Sequence, residues 1–299
     1  MLKSDPEWCK QYIIHQVMDY DEGSIMICFD IKLNDYVLIR CISKSNRSIP
    51  FEVHIAKMYK HRNIVPIINI FETSQYFSLV MPYPIGHLHD YLMKNIVFIE
   101  KEAQIIAKQS INALIYLHSN DICHGNLSLE NILLYESADS FPNSALFNFS
   151  RAFSSTIPKK EAISQFRDIY TAPEVLQEEK FNEKIDVYSL GVVLYMLLTG
   201  RNPFDEQDRI SQVINAINGN VDFKGIEWKC VSTDAALFVQ AMMCVDPELR
   251  PSASQCLAFD WVTPEENKDF IHQKSRSPAI FDLDYDFGFE YETVDGAYY

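Results

Sequence analysis

Apolar residues change their spacing once along this 299-residue chain, and that change limits what it can fold into. Up to about residue 83 the clearest apolar runs are short and rich in β formers. Residues 36–42, Tyr-Val-Leu-Ile-Arg-Cys-Ile, are one, and residues 77–81, Phe-Ser-Leu-Val-Met, another. Both read as strands, and residues 12–42 as a whole read as two or three. One helical pattern interrupts them at 49–60, with Phe51, Ile55, Met58 and Tyr59 apolar. From Leu88 onward helical periodicity dominates. Residues 102–119 carry Ala103, Ile106, Ala107, Ile111, Leu114, Ile115 and Leu117, the pattern of a long half-buried helix. Between the two parts stands Pro82-Tyr83-Pro84, a stiff connection.

Composition narrows the partners. Apolar residues make up 47% of the chain, enough for a substantial core. The formal net charge is −15, from 26 basic and 41 acidic residues. That balance argues against nucleic acid and anionic membrane, which select basic surfaces. The seven cysteines, at 9, 28, 41, 123, 230, 244 and 256, contain no C-x-x-C pair, so no metal site is expected. Scattered single cysteines suit reduced thiols, and the expectation is a soluble, intracellular, cytoplasmic protein. Residues 1–10 lack an apolar signal core, and no run of 18 apolar residues could span a membrane.

Five separated segments carry more specific information. Residues 124–134 read His-Gly-Asn-Leu-Ser-Leu-Glu-Asn-Ile-Leu-Leu. Residues 145–150 read Ala-Leu-Phe-Asn-Phe-Ser, and Ala172-Pro173-Glu174 follows. Residues 186–191, Asp-Val-Tyr-Ser-Leu-Gly, open an apolar helix that runs through Leu198 to Thr199-Gly200. Residues 246–251 read Asp-Pro-Glu-Leu-Arg-Pro. In this order and at these distances they resemble the eukaryotic protein-kinase family over about residues 10–262. The second half looks most like the calmodulin-dependent kinase group, through Gly219-Asn220-Val221-Asp222-Phe223, Trp228 and the stretch from Asp246 to Trp261. The resemblance implies an α+β bilobal fold. A small β-rich N-lobe would cover about 10–83 and a larger α-helical C-lobe about 84–262, with an acidic, aromatic tail at 263–299.

Laid on the family pattern, residues divide into two groups. Glu52, His124, Phe149, Glu174, Asp186 and Arg250 match positions that hold helices, lobes and activation segment together. The positions of the chemistry are changed. The family's strand lysine is Arg40, its catalytic-loop aspartate is Asn126, and the aspartate that holds metal is Asn148; Asn131 is retained. A neutral amide cannot accept the proton of a substrate hydroxyl, and two amides lack the carboxylate that a hard cation prefers. The family's arginine in the catalytic loop is Gly125. Without that arginine to read a phosphorylated activation loop, Ser154, Ser155 and Thr156 read as ordinary loop hydroxyls rather than a switch, and Arg167, standing where a threonine precedes Ala-Pro-Glu, argues against peptide-substrate docking. A nucleotide pocket, if present, would use Gly23, Ile25, Leu38, Arg40, Met81, Tyr83, Pro84 and Leu133. There Leu38 adds bulk, Pro84 has no N–H for the adenine, and only Gly23 remains of a glycine-rich loop.

This pattern is that of a pseudokinase, a catalytically impaired protein-kinase-like scaffold or allosteric regulator. No cofactor is expected. The alternative is an atypical active Ser/Thr protein kinase, using ATP with magnesium held by Asn148 and Asn131. The expected partner is a protein, such as an active kinase or another signalling protein. Residues 281–292 are the candidate docking segment. Phe281, Leu283, Tyr285, Phe287, Phe289 and Tyr291 alternate there with Asp282, Asp284, Asp286, Glu290 and Glu292, so an extended strand would have one apolar and one acidic face.

Overall fold

A computed structural model describes residues 8–20, 23–44, 50–94, 98–138, 141–154, 168–204 and 208–263. The activation-segment residues Ser155, Thr156 and Arg167, and the tail from 264 onward, lie outside the described residues. After a short helical turn, α1 (Trp8–Gln11), the N-lobe builds β1 (Tyr12–Tyr20), β2 (Gly23–Asp30), β3 (Asp35–Ser43), helix α2 (Phe51–Met58), β4 (Asn69–Glu72) and β5 (Tyr76–Pro82). The five strands form one antiparallel sheet in the order β1-β2-β3-β5-β4.

The period-two alternation of β3 decides what the sheet does. Val37, Ile39 and Cys41 turn to one side and join Tyr12, Met26, Cys28 and Val80 in a small cluster. Leu38 and Ile42 turn to the other side and join Ile25, Phe77, Leu79, Met81 and Val53 of α2. Arg40 shares the parity of Leu38, so it faces α2 and the cleft. The ladder sets Leu38 opposite Met81 and Arg40 opposite Leu79.

The C-lobe follows: β6 (Gly86–His87), α3 (Leu88–Met93), α4 (Glu100–Ser119), β7 (Ile122–Cys123), β8 (Ile132–Tyr135), β9 (Asn143–Leu146), β10 (Phe153–Ser154), α5 (Pro173–Leu176), α6 (Lys184–Thr199), α7 (Arg209–Asn218), α8 (Thr233–Met242) and α9 (Ala253–Cys256). α6 is the hub; twelve of its sixteen residues are buried, apolar all round, as a central helix must be. It stops at Gly200, whose φ of +70° suits a residue without a Cβ and whose N–H reaches the Met196 carbonyl at 2.8 Å. The expected two-lobed α+β architecture is thus the one that forms.

Two helix ends differ from the sequence reading. α2 stops at Met58, and Tyr59 has extended backbone (φ −114°, ψ 123°). The apolar spacing continues, but the Tyr59 ring leaves it to pack edge-on against Tyr116 of α4, with centroids 6.4 Å apart. α4 begins at Glu100 rather than Glu102, because the Glu102 carboxylate reaches back to accept the Ile99 N–H at 3.0 Å. Among the described residues no helix is long and apolar enough to cross a membrane.

Candidate functional site in the interlobe cleft

The cleft floor is carried by the loop after β7 and the loop after β9, and one buried carboxylate sets the first of them. Asp186, at the start of α6, accepts the backbone N–H groups of His124 and Gly125, each at 2.8 Å, and the His118 Nε2–H at 2.9 Å. Burial alone would raise its carboxyl, but the His118 hydrogen bond and charge outweigh that and hold it below the ordinary aspartate value.

His124 is fully packed and holds the two loops together. Its Nε2 donates to the Phe147 carbonyl at 2.9 Å, and its Nδ1 accepts the Asn126 N–H at 3.2 Å. Only a neutral imidazole serves both partners, and burial pushes its pKa down in the same sense. Both ring nitrogens are therefore taken, which leaves none to exchange a proton. The ring of Phe149 lies 4.7 Å away.

Asn126, Asn131 and Asn148 come together and bond to one another. The Asn148 Nδ2 donates to Asn131 Oδ1 at 3.1 Å, and the Asn131 Nδ2 donates to the Asn126 carbonyl at 2.8 Å. A longer contact of 3.5 Å runs from Asn126 Nδ2 to the Asn148 carbonyl. Asn148 has left-handed backbone (φ 62°, ψ 72°), which asparagine tolerates better than most residues. Its Oδ1 is buried without a hydrogen-bond partner. The set offers amide oxygens and no carboxylate.

Above it, Arg40 Nε stands 2.9 Å from Glu52 Oε1, with both side chains almost wholly buried. The Nε–H does not point along that line and finds no acceptor, so the attraction is Coulombic rather than a good hydrogen bond. Ile25, Leu38, Met81 and Leu133 form one buried cluster with Ala145 and Phe147, and Tyr83 packs on it. Pro84 is buried, and the Tyr135 hydroxyl reaches the Pro82 carbonyl at 3.5 Å. Gly23 ends the β1–β2 ladder opposite Tyr20, next to residues 21–22, which lie outside the described residues.

Away from the cleft, Arg250 grips Glu174 through two hydrogen bonds of 2.7 and 2.9 Å, both residues 1% exposed. Its remaining donors go to the carbonyls of Cys244, Lys184 and Val245, and its guanidinium lies 5.0 Å from the Tyr188 ring centre. Sequence reasoning missed one feature. A cavity of about 410 Å³ lies behind Met81, between α2, the loop at 59–67 and residues 147–149. Its rim holds Lys60, His61 and Arg62, a basic run that was visible in an acidic chain.

Comparison with known proteins gives a consistent answer. The family model of the protein kinase domain matches residues 21–262. A calcium/calmodulin-dependent protein kinase type 1 of Caenorhabditis briggsae is 28% identical over 249 residues, which is 81% of this chain and 68% of that protein. A calcium/calmodulin-dependent protein kinase of Emericella nidulans is 31% identical over 78% of this chain and 56% of its own length. Serine/threonine-protein kinase 33 of Bos taurus is 32% identical over 71% and 45%. The matched part thus spans about half to two thirds of these relatives.

Proposed function

The chain belongs to the protein kinase family, and we propose that it works within that family by binding other proteins rather than by transferring phosphate. The observation that carries this reading is the linked set of three asparagines. Asn126, Asn131 and Asn148 stand where phosphoryl transfer uses a base and metal-holding groups, and they spend their hydrogen bonds on one another. Magnesium prefers carboxylate and water oxygens in near-octahedral geometry, and this donor set does not fit it. Arg40 replaces the lysine that positions the nucleotide phosphates, for which it is not interchangeable, and Leu38, Met81 and Leu133 share one buried apolar cluster where the family holds adenine. On this reading the nucleotide and its metal are not held, and the two-lobed body is a protein-binding surface for a signalling partner.

A second reading rests on one atom. The buried Asn148 Oδ1 has no hydrogen-bond partner, so one acceptor is left over where the family holds metal. An atypical Ser/Thr kinase would place a cation there with Asn131. A thermal-shift titration separates the two, because a ligand that binds the folded state raises its melting temperature by mass action. The binding-only reading expects no shift at millimolar ATP, with magnesium, with manganese or with neither. A metal-dependent shift would overturn it.

A further inference from the structure

We propose that residues 281–292 of this chain occupy the cavity behind Met81, lying along its mouth as an extended strand with aromatic side chains inserted and carboxylates toward the rim cations. The proposal stands whether or not the chain transfers phosphate.

The chemistry of the cavity matches that segment. Its interior is apolar, lined by Ile55, Ile64, Val65, Leu79, Met81 and Phe147. At about 410 Å³ it falls within the common range for ligand pockets, about 300–1,000 Å³. Side chains two apart on a strand face the same way and are spaced by about 6.8 Å, so two successive rings can enter side by side. The rim bears Lys60 and Arg62, both exposed. The one carboxylate that lines the cavity, Glu52, is buried against Arg40. A basic rim on a chain of net charge −15 selects an acidic occupant, and long Lys and Arg stems reach around a strand to its outer face. Within the chain, 281–292 is the stretch that combines alternating rings with alternating carboxylates.

The geometry also allows it. Helix α4 serves as a ruler. At its first residue, Glu100 accepts the Trp261 indole N–H at 2.7 Å, which places the last described residues at that end. Near its other end, the Tyr116 ring stacks on His61 at 5.2 Å, and its hydroxyl accepts the Lys60 N–H at 3.3 Å. From Glu100 to Tyr116 the helix rises about 24 Å at 1.5 Å per residue. The seventeen residues 264–280 can span about 56 Å when extended, so the connection reaches the rim with slack.

The experiment is hydrogen–deuterium exchange of the full chain, read at 281–292 against a free peptide of that sequence. Two variants are compared. Lys60→Glu with Arg62→Glu reverses the rim, and Ala56→Trp fills the cavity; each is checked for an intact melting transition. Docking predicts exchange in the full chain slowed about tenfold or more, independent of protein concentration, and lost in either folded variant. It also predicts faster exchange at about 0.5 M salt, where exposed charges are screened within a few ångströms. Free-peptide exchange in the unmodified chain would overturn the proposal, as would protection untouched by both variants. Protection that grows with protein concentration would assign the segment to a second copy and overturn it equally.

Discussion

A Cβ placed on Gly125 would stand 2.7 Å from the backbone carbonyl oxygen of Arg151, closer than real Cβ atoms approach. Gly125 also has φ +68°, a backbone that side-chain-bearing residues adopt at a cost. The position at which the family carries arginine is therefore closed in this chain by its own backbone. Restoring that arginine requires moving residues 151–153 as well.

Accordingly, Gly125→Ala and Gly125→Arg should each destabilise the fold, by on the order of 2 kcal/mol from the left-handed backbone and the contact together. Urea denaturation measures this directly. An unchanged midpoint for Gly125→Ala would mean that the carbonyl of Arg151 is not where it is described.

Arg250→Ala should cost about 3–5 kcal/mol, because Glu174 would remain buried and charged without its partner. Three backbone carbonyls would lose donors as well. The melting temperature should fall by several degrees. Replacing Arg250 and Glu174 together by apolar residues should recover part of the loss, since the orphaned charge is then removed.

Reverting one chemical position should not produce an enzyme. Asn126→Asp would supply a base, but Asn148 would still offer an amide and Arg40 would still stand in place of the phosphate-positioning lysine. Groups that act as a catalytic unit are strongly non-additive. No phosphate transfer is expected in a radiolabel assay with a generic basic substrate. Turnover by the unmodified chain, abolished by Asn131→Ala, would refute the binding-only reading.

Stability should fall with acid in a window to which His87 contributes, alongside His124 and His61, whose pKa values burial lowers in the same sense. Burial, reinforced by the charge of His89, pushes the pKa of His87 down to about 4 in the folded protein. The unfolded chain takes up that proton near pH 6.5 and the folded chain only near 4. The unfolded state therefore binds more protons between these values. The contribution is complete above about pH 6.5 and declines by on the order of 3 kcal/mol toward pH 4. Asp90, whose carboxyl burial raises, opposes the trend only at the acid end. His87→Gln should flatten the pH dependence of the denaturation midpoint over this window; an unchanged slope would show that His87 is not among its sources.

What the sequence determined by itself is local or a matter of identity. The order of strands and helices follows from periods of two and 3.6, and the replacement of the family's lysine and two aspartates is read directly at Arg40, Asn126 and Asn148. Glu174 and Arg250 could be named as partners only because a family pattern supplied their pairing. Tertiary structure decided the rest, because it depends on residues far apart in the chain meeting at ångström distances. Asp186 sets the backbone of His124 and Gly125 from 62 and 61 positions away. Tyr59 leaves a helix whose pattern continues because Tyr116 is there to receive it. The three amides could have faced solvent; only the meeting of the loops after β7 and β9 turns them onto one another. The cavity behind Met81 has no sequence signature beyond the basic run of its rim. It is the space left where α2, β5 and residues 147–149 fail to fill one another's surfaces, and packing alone creates such a space.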